Sequence, residues 1–154
     1  MHAEVISSVE QLENLLDEKD GAVTTLANAS AFLNEFLPDI NWVGFYLLEQ
    51  NELRLGPFQG KPACTRISLG KGVCSAAISQ NRTQRVENVH LFPGHIACDS
   101  ASNSELVVVL RGREGEPIGV LDIDSTLLNR FSQEDARQME RAAEIISNKI
   151  RHTL

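Results

Sequence analysis

The sequence predicts an α+β fold in which an antiparallel sheet is flanked by helices. Helical periodicity at both ends of the chain, and several short β-favouring runs joined by turns between them, support this class. The chain has 154 residues, of which 42% are hydrophobic, and this is enough for one domain with a sizeable core. We therefore expect a single domain over residues 1–154.

Apolar residues recur at helical spacing at each end of the chain. Leucines at spacings of three, four and seven predict helices over about 5–37, with a break at 19–21 and a stop at Pro38. At the other end, Ser132 is a suitable N-cap for a helix over 132–151. The apolar face of that helix has charged residues opposite it, which predicts an amphipathic helix packed on the core.

The middle of the chain contains the predicted strands. They are residues 41–48, a strand that starts at Leu53 after a hairpin turn, and residues 65–69, 84–87, 106–110 and 118–123. Pro57, Gly60 and Pro62 predict a loop after the second strand. Residues 88–103 have no clear periodicity, and a long irregular segment in a compact domain is often functional.

Charge and hydropathy exclude several classes of partner. The 21 Asp and Glu residues exceed the 14 Lys and Arg residues, so the formal net charge is −7, which argues against nucleic acid or an anionic membrane as the main partner. No run approaches the roughly 18 apolar residues of a membrane span, and the N-terminus has no apolar signal-peptide core. We therefore expect a cytoplasmic protein.

Three cysteines are the sharpest chemical signal: Cys64, Cys74 and Cys98. They are too few for a disulfide scaffold. Cys74 follows a glycine turn at a predicted helix N-terminus, which favours a thiolate. Cys98 lies three residues after His95 and next to Asp99; a protonated His95 would lower the thiol pKa, and Asp99 would oppose that change. Two thiols that meet in space would make this a redox enzyme or a redox sensor.

Carboxylates and aromatic residues form a second candidate set. Asp122 and Asp124 alternate along a strand and so share one face, and Glu105 opens its partner strand. Such carboxylates are usually only solvated, but together they could bind an amine or hold a proton. Trp42 and Tyr46 also share a strand face, where core packing is the default and an aromatic wall for a ligand is the alternative.

A zinc site is the less favoured interpretation of the same region. His90, His95 and Cys98 could bind zinc with a fourth ligand from Cys64 or Cys74. The chain has no CxxC or HExxH spacing, so we expect no metal. A phosphate loop and a GxSxG nucleophile elbow are also missing.

Five runs of residues carry a family resemblance. They are NWVGFYLLE (41–49), LGPFQGKPAC (55–64), GKGVC (70–74), VHLFPGHIACDSASNSE (89–105) and IGVLDIDS (118–125). These runs closely resemble the free methionine-(R)-sulfoxide reductases, a family of single GAF domains, and they include all three cysteines. The resemblance implies a GAF-like fold, with a six-stranded antiparallel sheet, helices on both faces and a small enclosed pocket.

The resemblance also implies an activity, the reduction of free L-methionine (R)-sulfoxide. Matched position by position, Cys98 is the nucleophile, Cys64 the resolving thiol and Cys74 an accessory or second resolving thiol, whereas the residues alone rank Cys74 first. Thioredoxin is the implied external reductant. The resemblance implies no bound cofactor, and a homodimer is expected by analogy.

The remaining matched residues surround the implied substrate. Glu105, Asp122 and Asp124 match acidic residues that bind the substrate, and Glu105 or Asp124 would donate the proton to the sulfoxide oxygen. Trp42 and Tyr46 match the wall around its methyl group. The rival interpretation is a stand-alone GAF sensor of a small ligand or of redox state, although a sensor needs a further domain to receive its signal.

Overall fold

The computed structural model describes residues 8–95 and 101–154. In this part of the chain, six antiparallel strands form one sheet in the order β3-β2-β1-β6-β5-β4. The strands are β1 (Trp42–Glu49), β2 (Glu52–Gln59), β3 (Arg66–Ser68), β4 (Gln84–Val86), β5 (Ser104–Arg111) and β6 (Pro117–Ser125). The helices are α1 (Leu12–Leu15), α2 (Ala22–Phe36), α3 (Val73–Gln80) and α4 (Gln133–Ile150), with 3-10 turns at Val9–Gln11, Glu18–Asp20, Val89–Leu91 and Arg151–Thr153.

Helices pack on both faces of the sheet, which confirms the predicted α+β class. On one face, α1, α2 and α4 cover inward-facing residues such as Phe45, Leu106 and Ile123. On the other face, α3 packs over a smaller cluster that includes Tyr46 and Val107. No helix in the two described ranges is long and apolar enough to cross a membrane.

Local sequence signals explain where the longer helices begin and end. Gly21, at φ 82°, adopts a backbone conformation that favours glycine, and α2 starts at the next residue. The helix ends at Phe36, ahead of Pro38, as predicted. Ser132 caps α4: its hydroxyl accepts from the Asp135 backbone N–H, while the Asp135 carboxylate accepts from the Ser132 N–H.

The N-terminal segment is less helical than the prediction of helices over about 5–37. Among the described residues before Gly21, α1 spans only four residues and is flanked by 3-10 turns. The helix stops because Leu16 is extended and the Asp17 carboxylate accepts a hydrogen bond from the Lys19 backbone N–H. A short polar side chain that bonds its own backbone in this way competes with a continuing helix.

The predicted loop at Pro57 is wrong, because β2 continues to Gln59. The register between β1 and β2 shifts between Gly44 and Tyr46, so that Gly56 and Pro57 together oppose one residue of β1. A bulge of this kind tolerates proline because one residue is left out of the regular ladder. The bulge therefore lets the strand extend toward the segment that carries Cys64.

Candidate active site

The pairing of β6 with both of its neighbours brings three carboxyl groups together. Asp124 lies opposite Glu105 on β5 and opposite Trp42 on β1. Asp122, two residues earlier and on the same face, lies opposite Gly44. Residues directly opposite each other in a sheet project to the same side, so all three carboxyl groups point away from the face covered by α2 and α4.

A pocket opens on this face, between the sheet and α3. Six of the eight residues that the family resemblance matches to a site line it: Trp42, Tyr46, Cys74, Glu105, Asp122 and Asp124. Cys64 packs against the apolar cluster beside the pocket and is disulfide-bonded. Cys98 lies outside the described residues.

Burial determines the ionisation of the carboxyl groups. Glu105 is 7% exposed and Asp122 is 6% exposed. Burial, followed by repulsion from Asp124, raises the pKa of Glu105 to about 8. Burial and the neighbouring Glu105 also raise the pKa of Asp122 well above its usual range. Glu105 therefore carries a proton at neutral pH, in a pocket where it could be passed to a ligand.

The prediction of an activated Cys74 thiolate is wrong. Cys74 is the second residue of α3, as expected, but it is buried, and burial raises the pKa of its thiol well above the usual range. The carboxylates of Asp122, Glu105 and Asp124 reinforce that shift. Desolvation and negative neighbours outweigh the favourable helix N-terminus, so the Cys74 thiol stays protonated.

The two aromatic residues hold the Cys64 segment in place as well as lining the pocket. Their rings stack with centroids 6.0 Å apart. The Trp42 indole N–H donates to the Lys61 carbonyl at 3.1 Å, and the Tyr46 hydroxyl donates to the Cys64 carbonyl at 2.9 Å. Their ring faces line the pocket, and their polar atoms make the hydrogen bonds that buried Trp and Tyr side chains usually require.

His95 and Ser102 line the pocket on either side of residues 96–100, which contain Cys98. Partial burial, together with nearby His90, lowers the pKa of His95. His95 is therefore neutral at pH 7, and the expected help from a protonated histidine to the Cys98 thiol is not supported. His90 instead pairs through its Nε2 with the Asn103 side chain at 2.9 Å.

Three further residues contribute to the pocket: Lys71 and Ser102 line it, and Gly44 lies directly beside the Trp42 ring. A Cβ on Gly44 would collide with the Phe58 Cβ and come within 2.8 Å of the Trp42 ring. A glycine inside a strand is the usual signal for such a close approach and could have revealed it. Ser102 accepts a hydrogen bond from the Asn41 amide, a contact between distant residues that no local pattern reveals.

The raised pKa of Glu105 predicts a pH dependence of stability. Between pH 4.5 and about 8 the folded protein holds a proton that the unfolded chain has released, so the free energy of unfolding falls with rising pH. One such proton contributes a slope of up to about 1.4 kcal/mol per pH unit.

The Glu105→Gln variant cannot ionise at this position, so its free energy of unfolding should depend less on pH when measured by urea unfolding between pH 5 and 8. Glu35→Gln, at an exposed position of α2, should match the wild type. Parallel profiles for all three proteins would contradict this assignment.

Comparison with known proteins adds a family match. The GAF domain family model matches residues 23–151. A protein of Escherichia coli K12 named free methionine-R-sulfoxide reductase is 58% identical over 119 residues, which cover 77% of this chain and 72% of the relative.

Two solved structures share this architecture closely. The fRMsr of Staphylococcus aureus in its reduced form has a TM-score of 0.87 at 50% identity, with 92% of each chain covered. The free methionine-R-sulfoxide reductase of Neisseria meningitidis in complex with its substrate has a TM-score of 0.87 at 40% identity, with 97% of this chain and 95% of that chain covered. These likenesses confirm the predicted GAF-like fold.

Proposed function

Because this chain belongs to the free methionine-R-sulfoxide reductase family of GAF-domain proteins, we propose that it reduces free methionine (R)-sulfoxide to methionine through a thiol–disulfide cycle. The observation that carries the proposal is the cluster of three carboxyl groups in a pocket beside Trp42, in which Glu105 and Asp122 are buried and Asp124 is partly exposed. This pocket offers what a small zwitterionic sulfoxide needs: negative charge for its ammonium group, an acid for its oxygen and an aromatic surface for its methyl group.

The carboxyl groups divide between two tasks. One carboxyl group of the cluster, in its ionised form, bonds the ammonium group of the substrate. This bond favours a free amino acid over a methionine residue within a protein, because the corresponding nitrogen of that residue is an amide. Glu105 holds a proton at neutral pH and donates it to the sulfoxide oxygen, which is otherwise a poor leaving group. Asp124, opposite Glu105 in the sheet, is the alternative donor.

The electrons come from thiols. The Cys98 thiolate attacks the sulfoxide sulfur, the protonated oxygen is transferred to the Cys98 sulfur, and methionine leaves. The sulfenic acid on Cys98 then condenses with the Cys64 thiol, which forms a disulfide and releases water. A dithiol reductant restores both thiols by exchange. The sulfoxide gains two electrons, and the disulfide is the oxidised product.

The states of Cys64 and Cys74 support these roles. Cys64 is disulfide-bonded and Cys74 is a free buried thiol. The raised thiol pKa of Cys74 makes it a poor nucleophile at pH 7. His95 and Ser102, which flank Cys98 in the sequence, both line the pocket, and this supports the proposal that Cys98 is the nucleophile. Cys74 is then an accessory thiol.

We propose that thioredoxin is the reductant and that the protein acts in the cytoplasm. The distribution of charge near Cys64 suggests how thioredoxin docks. Residues 53–86 contain six Lys and Arg and no Asp or Glu, within a chain whose formal net charge is −7. Lys61, Arg66 and Lys71 are exposed in this segment around Cys64. A cationic surface next to the disulfide favours an acidic dithiol partner, since complementary charge speeds productive encounter.

The proposed cycle uses no bound cofactor, and the expected homodimer stays a prediction.

A coupled assay tests the reaction directly. NADPH consumption through thioredoxin reductase and thioredoxin would be followed with free methionine (R)-sulfoxide, its (S) epimer and a peptide-bound sulfoxide. We expect turnover of the free (R) form alone. Turnover of none of these substrates by folded, reduced protein would overturn the proposal and favour the sensor interpretation.

Cysteine variants test the order of steps. Cys98→Ser should abolish methionine formation altogether, because it removes the attacking thiolate. Cys64→Ser should still form one methionine per subunit in a single turnover without reductant, because the sulfenic acid forms before Cys64 acts. Quantified methionine in quenched reactions distinguishes the two variants. An equal loss in both would refute the assignment of nucleophile and resolving thiol.

A charge reversal tests the docking surface. Lys61→Glu should lower kcat/KM for thioredoxin by roughly 3- to 10-fold and leave turnover with dithiothreitol unchanged, because a small neutral dithiol needs no charge complementarity. Lys19→Glu makes the same charge change on the other side of the sheet and serves as the matched control. Equal effects of Lys61→Glu on both reductants would show that the side chain acts elsewhere in the cycle.

A further inference from the structure

One thiol and two carboxyl groups in the pocket have the composition of a metal site. The Cys74 sulfur and one carboxylate oxygen each of Glu105 and Asp122 all lie within 4.8 Å of one another. All three residues are buried, with exposures of 5%, 7% and 6%. The proposed reaction uses the carboxyl groups but not the thiol of Cys74.

A second observation points to a missing ligand. The Oδ1 atom of Asp122 is buried and has no hydrogen-bond partner among the described residues. An acceptor that is buried without a donor is costly, so it marks a position where a cation or a donor group belongs. In the proposed reaction, the substrate ammonium would satisfy that oxygen but would make no use of the adjacent sulfur.

The donor set fits a thiophilic divalent ion better than a hard one. Zinc takes thiolate sulfur and carboxylate oxygen at about 2.0–2.3 Å in a tetrahedral arrangement, so that its ligand atoms lie roughly 3.5 Å apart. The three atoms here lie within 4.8 Å of one another, so each separation would need to shorten by at most about 1.3 Å, a change within the reach of side-chain rotation. Magnesium and calcium select oxygen ligands alone, so Cys74 disfavours both.

We propose that Cys74, Glu105 and Asp122 form a binding site for a thiophilic divalent cation, such as Zn²⁺, which competes with substrate for the pocket. The ion displaces the protons that these groups hold and coordinates the Oδ1 atom of Asp122, which otherwise has no hydrogen-bond partner among the described residues. It also occupies the carboxyl groups needed for the ammonium and for proton donation. Metal binding itself does not depend on the proposed function, whereas the competition with methionine sulfoxide rests on it.

The test uses a protein in which Cys74 is the sole thiol. Cys64→Ser combined with Cys98→Ser leaves this background, because the chain has three cysteines. Titration with Cd²⁺ should produce the ultraviolet thiolate-to-cadmium charge-transfer band, with one ion per subunit, and Zn²⁺ should abolish the band by displacement. Adding Cys74→Ser should remove the band, and Asp122→Asn in the original background should weaken Cd²⁺ binding at least tenfold. Circular dichroism and thermal unfolding show whether each variant is folded.

The outcomes separate the two claims. No band in the folded background protein, or undiminished binding after Cys74→Ser or Asp122→Asn, would overturn the metal site. Free methionine (R)-sulfoxide should raise the apparent Kd for Cd²⁺ in the same background, which lacks the nucleophile and so binds substrate without consuming it. Cadmium binding that sulfoxide does not affect would retain the metal site and overturn the shared pocket.

Discussion

The pairing of β6 between β1 and β5 is the constraint on which the rest of the site depends. It places Asp124 opposite both Glu105 and Trp42, and Asp122 opposite Gly44. The central strands are covered on both faces, so Glu105 and Asp122 are almost fully buried, with exposures of 7% and 6%. Their pKa values rise because the charged form loses its solvation, and the two carboxyl groups are consequently protonated at neutral pH.

The same burial distinguishes the Cys74 thiol from the disulfide-bonded Cys64. Cys74 lies against this cluster and stays a protonated thiol, although it occupies the helix position that ordinarily activates one. Cys64 lies on the segment between β2 and β3, which Trp42 and Tyr46 hold through its backbone carbonyls. One arrangement of aromatic side chains therefore forms the pocket wall and also fixes the position of the Cys64 backbone.

Charges of opposite sign lie on different surfaces of the protein. The interior of the pocket is rich in carboxyl groups, which suits a small cationic group, whereas the exposed surface around Cys64 is cationic, which suits an acidic protein. These opposite signs lie close together because they belong to different elements: β5 and β6 provide the carboxyl groups, and the segment around β3 provides Lys61 and Arg66. The overall charge of the chain reveals neither feature.

The sequence by itself determined the class of the fold, the capped terminal helix and the common face of Asp122 and Asp124, because these follow from periodicity and local hydrogen bonds. It also indicated the family, through runs that include every cysteine. Only the tertiary structure decided the path of β2 through Pro57 and the protonated state of Cys74 and Glu105. Strand register and desolvation are properties of packed neighbours far apart in the chain, so no local pattern specifies them.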